Sequence, residues 1–185
     1  MKKGLLVGLG IVAVLIMIFV GTYNGLVAKE EEVEGKFADI SVQLERRADL
    51  IPNLINTVKG YMAHEQSIID SVTKARKKLV NANNPEDMAE ANSDLTTALN
   101  NLLVIVENYP DLKANTNFIQ LQDELAGTEN RIAVARKDYN EAVKNYNKTI
   151  KSFPKNILAG MFGFEEKEYF EASVSSNEVP EVSFE

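Results

Sequence analysis

The sequence predicts an all-α protein: an elongated antiparallel up-and-down four-helix bundle, preceded by one N-terminal transmembrane helix. Three observations carry this. Residues 5–22 form an uncharged apolar run. Apolar residues then recur in alternating steps of three and four over three long stretches. Prolines at positions 85, 110 and 154 mark where those stretches begin and end.

Composition narrows the chemistry. The 185 residues are 45% hydrophobic and 25% charged, with neither Cys nor Trp and a single His. Disulfides, thiolate catalysis and thiolate metal sites are excluded, and one His64 makes a multi-histidine metal site impossible. All 27 acidic residues but only 18 of the 20 basic ones lie beyond residue 23. That excess of negative charge argues against a general nucleic-acid binder.

The organisation expected is an anchor over residues 1–23, a bundle over 24–172 and a disordered tail over 173–185. Eighteen apolar residues rising about 1.5 Å each nearly cross a hydrocarbon core of about 30 Å. Tyr23 follows at the interface. The rival is a cleaved signal peptide, but the apolar region is long for one, and Leu26-Val27-Ala28 has Leu where a small residue belongs. Lys2 and Lys3 precede the span, and Lys29-Glu30-Glu31-Glu32 follows it. The positive-inside rule then exports the domain, with a cytoplasmic domain as the alternative.

The first long stretch, 26–81, carries the track Val33, Phe37, Ile40, Leu44, Arg47, Ile51, Leu54, Val58, Tyr61, Glu65, Ile68, Val72, Ala75, Leu79. Pro52 interrupts it, because proline lacks an N–H and clashes with the preceding turn. Either the helix kinks there and continues, since the heptad phase is unbroken, or it ends near Asp49 and the chain reverses. Matching helix lengths favours the break and four helical segments.

Asn84 caps the next helix, with Pro85 in its first turn and Glu86 and Asp87 at its positive end. Its track runs Met88, Ala91, Leu95, Ala98, Leu102, Ile105, Tyr109, and Pro110 stops it. After a turn over 111–117, Asn117 and Gln120 form an expected capping box. Phe118, Leu121, Leu125, Thr128, Ile132, Ala135, Tyr139, Ala142, Tyr146, Thr149 and Phe153 make the last seam. Residues 155–170 are too apolar for a free tail. The expectation is a segment folded onto one end of the bundle; the sharper reading is an interfacial or partner-binding hook. Four up-down segments would return it to the membrane side; three would leave it distal.

Charge on the seams supplies the candidate interaction or register-setting residues: Arg46, Arg47, Asp49, Glu65, Glu129, Arg131, Arg136, Asn140 and Asn147. Arg46, Arg47 and Asp49 are expected to face Glu129, Arg131 and Arg136. A buried charge left alone is costly, so a seam arginine needs a partner. The alternative is a groove at Arg47 and Arg136 for an anionic molecule. Glu65 is expected to pair with a basic residue across the seam. His64 and Glu65 point about 100° apart on a helix and cannot chelate one ion together. Tyr139-Asn140 and Tyr146-Asn147 repeat at seven: packed tyrosines with solvated or capping asparagines, or a polar ladder for a partner helix. No catalytic motif, cofactor loop or metal motif is present, so no catalytic residue, cofactor or metal is assigned.

Several motifs carry a family resemblance: Y-N-G-L-V (23–27), Q-L-E-R-R-A-D-L-I-P-N-L (43–54), V-K-G-Y-M-A-H-E (58–65), V-T-K-A-R (72–76), E-N-Y-P-D-L-K-A-N-T-N-F (107–118), E-N-R-I-A-V-A-R-K-D-Y-N-E-A-V-K-N-Y-N (129–147), F-P (153–154) and G-F (163–164). The chain resembles the LemA family over about residues 22–172. The resemblance implies a bacterial, single-pass, membrane-anchored helical bundle without an agreed biochemical activity. Relatives associated with membrane organisation, including magnetosome biogenesis, imply a scaffold role. With no catalytic motif in the sequence, the expectation is a non-catalytic scaffold or adaptor of the cell envelope, with the membrane and one or more proteins as partners, no nucleic acid, and a homo-oligomer as a further option.

Overall fold

The structure, a computed structural model, describes residues 2–62 and 64–171. The tail expected over 173–185 lies outside the described residues. Among the described residues, six helices follow one another: α1 Lys2–Lys59, α2 Gln66–Asn81, α3 Pro85–Val106, α4 Pro110–Lys113, α5 Thr116–Lys151 and α6 Lys155–Phe162. No strand occurs among the described residues.

Two compact units divide the chain. Of the described residues, those within 2–38 and 138–168 form the first; those within 39–137 and 169–171 form the second. The helices α1 and α5 therefore contribute to both.

The second unit is built on the charged and apolar stripes of the sequence. Ile40, Leu44, Arg47, Ile51, Leu54 and Val58 of α1 are all buried. Ile68, Val72, Ala75 and Leu79 of α2, and Ala91, Leu95, Ala98 and Leu102 of α3, are buried as their spacing requires. Helices α2 and α3 pack against each other. Asn84 starts α3 as expected: its Oδ1 accepts from the Asp87 N–H at 2.8 Å, and Pro85 opens the first turn.

The chain does not break at Pro52. Helix α1 runs through it unbroken to Lys59. Two facts explain why. Ile51 and Leu54 are both core residues, so a reversal there would pull two large apolar side chains out of contact. Pro52 also leaves the Ala48 carbonyl without its N–H(i+4) partner, and Arg76 Nε of α2 donates to that oxygen at 2.7 Å. The lost helical bond is replaced from another helix.

The chain reverses instead at residues 60–65, after Gly60, a residue that weakens a helix interior. The 4-3 track consequently lapses at Tyr61 and Glu65 and resumes at Ile68 in α2. Tyr61 is 41% exposed, and Met62 takes the buried place.

The start of α5 also differs from expectation. Asn115, rather than Asn117, supplies the cap: its Oδ1 accepts from the Phe118 N–H at 3.1 Å. Its Nδ2 donates to the Tyr61 hydroxyl at 2.9 Å. At the far end α5 stops at Lys151, so Phe153 leaves the seam and is 81% exposed.

The first unit joins the N-terminal part of α1 to the end of α5, to α6 and to an irregular stretch after it. Residues 6–20 of α1 expose every side chain described. Leu26 and Val33 are buried, with Tyr139, Ala142, Val143 and Tyr146 of α5. Gly163 closes α6 at φ 74°, a left-handed conformation that costs a glycine nothing.

Candidate functional site

The charged seam lies in the second unit. Arg47, on the buried face of α1, is 3% exposed. Its Nη1 donates to Asn92 Oδ1 of α3 at 2.6 Å and pairs with Glu129 Oε2 of α5 at 2.5 Å. One guanidinium thus links three helices. Burial pushes the guanidinium below its ordinary pKa, and the neighbouring Glu129 opposes that shift. Arg47 Nε has no hydrogen-bond partner.

Beside this linkage is a recess of about 210 Å³. Leu54, Leu99, Leu102, Leu103 and Leu125 line it, with Arg47 and Glu129. Its wall is mainly apolar, and its ionic groups are already paired with each other.

Other predicted residues fall out differently. Arg46 is exposed and pairs with Glu124 at 2.9 Å, a partner outside the expected set. Asp49, Arg131 and Arg136 are exposed. Arg136 does not join Arg47 at the recess, which corrects the expected Arg47/Arg136 groove. Seven residues along α5 separate Glu129 from Arg136, about 10 Å of helix, so a side chain reaching Arg47 from Glu129 leaves Arg136 a full two turns away.

Glu65 has a phenol rather than a basic residue as its partner. The Tyr109 hydroxyl donates to Glu65 Oε1 at 3.0 Å. That hydrogen bond, with some desolvation and the charge of Glu65, raises the Tyr109 pKa. His64 is exposed. Among the described residues, no three metal-ligating side chains converge.

The Tyr-Asn repeat of α5 belongs to the first unit and is turned to internal use. Asn147 is buried and clamps one backbone position from both sides. Its Nδ2 donates to the Lys167 carbonyl, and its Oδ1 accepts from the Lys167 N–H, both at 2.9 Å. The Tyr139 hydroxyl donates to the Glu168 carbonyl at 2.8 Å. Asn147 is therefore spent within the chain, against the reading of a ladder for a partner helix; Asn140 is half-buried. Burial, and then the charge of Glu168, pushes the Tyr139 phenol up to about 12. Burial does the same at Tyr146, also to about 12, with smaller contributions from Glu30 and Glu165. Lys167 closes the arrangement by pairing with Glu30 of α1 at 2.7 Å.

Sequence reasoning missed Asn92, Arg76, Glu124 and Lys167. Asn92 stands one place off the first stripe of α3 but in step with Leu95 and Leu99, a faint signal of a second buried face.

With this geometry in place, comparison with known proteins is informative. The sequence pattern of the LemA family matches residues 36–184. The chain belongs to the LemA family. It is 28% identical to magnetosome protein MamQ 2 of Paramagnetospirillum magneticum, over 80% of this chain and 64% of that protein. It is 27% identical to magnetosome protein MamQ of Magnetospirillum gryphiswaldense, with the same two coverages. It is 25% identical to protein LemA of Metamycoplasma hominis, over 70% of this chain and 59% of that protein. The chain thus spans about 64% of the length of the MamQ proteins.

Among the described residues, one helix is long and apolar enough to cross a membrane, and it is α1. Its apolar part is wholly exposed. Together with the membership of the LemA family, this suggests a membrane anchor. In this member of the family the signature motifs do structural work. The proline of the 43–54 motif is answered by the arginine of the 72–76 motif, and the arginine of the first by the glutamate opening the 129–147 motif.

Proposed function

We propose that this LemA-family chain is a membrane-anchored helical scaffold of the bacterial cell envelope, non-catalytic and acting through protein–protein contacts. One observation carries the reading. Ionisable side chains are committed to ties within the second unit, between helices at Arg47–Glu129, Arg46–Glu124 and Lys78–Glu90 and between the residues that precede α2 and α4 at Tyr109–Glu65. Such ties fix the register of a bundle of four helical segments and leave its outer faces for partners. The magnetosome proteins among its relatives favour a role in organising membranes. Lys2 and Lys3 before the span favour an extracytoplasmic body.

The test is reconstitution. Full-length protein is cross-linked in native membranes, the linked species is identified, and binding is repeated with both purified components. Stoichiometric binding that survives reconstitution supports a scaffold. Recovery of the protein alone under gentle detergent, with no cross-linked species, overturns it.

A second reading rests on the leucine-lined recess with the unpaired Arg47 Nε: a sensor for a small amphipathic acid. Medium-chain fatty acids that raise the melting temperature of the native protein, and fail to do so for Arg47→Met, would favour it over the scaffold.

A further inference from the structure

The first unit places a short apolar helix beside the end of the membrane span. The Phe162 ring of α6 lies 4.8 Å from the Tyr23 ring and 5.5 Å from the Phe19 ring. Phe164 lies 5.9 Å from Tyr23. Phe19 belongs to the last turn of the uncharged run over residues 5–22. Tyr23 follows it, one turn or about 6 Å further along α1. Contacts at both rings fix the depth of α6 in the first unit: it sits alongside the last turn of the span, where hydrocarbon gives way to headgroups.

The helix has two faces. Ala159 is buried and Leu158 half-buried against the protein. Ile157 and Met161, one turn apart, point away and are 55% and 68% exposed. Phe153 precedes them, still more exposed. Large apolar side chains in one short stretch are unusual on a water-facing surface. Phe162, next to Met161 and itself half exposed, joins the same helix to the exposed apolar residue Phe19 of α1.

We propose that α6 is an interfacial helix whose outer face, Ile157 and Met161, is seated together with the preceding Phe153 in the lipid of the bilayer that α1 crosses. The occupant of this face is phospholipid. Lys155 at the start of the helix is exposed and long enough to hold its charge at the headgroups while its stem lies along apolar surface. Lys151 is paired with Glu166 at 2.7 Å, and the face itself is apolar, so the proposed attachment is to the acyl chains. The proposal rests on the reading of α1 as an anchor, and the experiment separates the two.

The chain has no cysteine, so single-cysteine variants give unambiguous labels. Full-length Met161→Cys, Leu9→Cys and Glu31→Cys proteins are labelled with an environment-sensitive fluorophore. Each is placed in vesicles of neutral phosphatidylcholine, with and without bromine on the acyl chains. Position 9 reports the span. Position 31 lies on the same helix about 13 Å beyond residue 22 and reports water. Position 161 is exposed, so labelling does not disturb packing; unchanged helical circular dichroism checks this.

The expected result is a blue-shifted label at 161 that loses most of its emission to brominated lipid, as at 9, while 31 is unaffected. The result should persist at high salt. Quenching at 9 with none at 161 overturns the proposal and leaves the anchor intact. No quenching at 9 removes the anchor reading and the proposal with it. A second copy seated on the face would instead give disulfide-linked dimers of Met161→Cys without lipid quenching, and that too overturns it.

Discussion

At the scale of single residues, Arg47 shows how an unequal pair should respond to mutation. Its own side chain is almost wholly buried, while that of Glu129 is 43% exposed. Arg47→Met leaves a carboxylate that can turn to water and an Asn92 amide with one bond fewer, a loss of about 1–2 kcal/mol. Glu129→Gln leaves a buried guanidinium without its counter-charge, which costs about 3–5 kcal/mol when complete. The glutamine variant should therefore be the less stable of the two, as read from urea or thermal unfolding of the detergent-solubilised protein. Tyr139 gives a pH prediction with a fixed sign. Its phenol titrates near 10 when unfolded and at about 12 in the fold. Between those values the unfolded chain holds fewer protons, so stability present below pH 10 is lost as pH rises towards 12. Tyr139→Phe should lessen that alkaline slope, leaving the share due to Tyr146, while the slope near neutrality stays unchanged.

At the scale of elements, the link between Pro52 and Arg76 explains why a helix passes through a proline. Pro52 is exposed and Arg76 Nε fills the carbonyl position it vacates at Ala48. Arg76→Ala should cost about 1–2 kcal/mol through an unsatisfied carbonyl. In a Pro52→Ala background the helix supplies its own N–H to that oxygen, and the same arginine change should cost clearly less. A double-mutant cycle measured by thermal unfolding reads this coupling; additive costs would contradict it. The stretch that follows α6 is held in a different way, by a side-chain amide gripping one peptide unit. Asn147→Ala removes both bonds at Lys167, and the Lys167 amide proton should exchange with solvent much faster. Asn147→Asp keeps an acceptor for that N–H and should fall between. Hydrogen exchange by NMR or mass spectrometry resolves the three.

At the scale of the whole molecule, topology is set by few charges. The lysines before the span outnumber the single Lys29 just after it by one. Protease added to intact protoplasts should digest the body of the chain, and Lys2→Glu with Lys3→Glu should protect a fraction of it. Much of the fold was legible in advance because burial follows spacing: from Val33 to Val58 every position on the track is buried or half-buried. The prediction that a seam arginine needs a partner was legible for the same reason. Which partner it takes was not. Asn92, Glu124 and Arg76 are chosen by the rotation and register of one helix against another, and periodicity within a helix does not encode these. The reversal at residues 60–65 was hidden because the 4-3 pattern runs on through Tyr61 and Glu65 after the helix has ended. The first unit takes residues from both ends of the chain, with Glu30 meeting Lys167 and Tyr23 meeting Phe162 and Phe164. On the ribosome the early half of that unit emerges long before its complement is translated. Glu30, Phe19 and Tyr23 must wait, unmatched, while over a hundred intervening residues are made, so this unit cannot close until the stretch up to Glu168 has emerged.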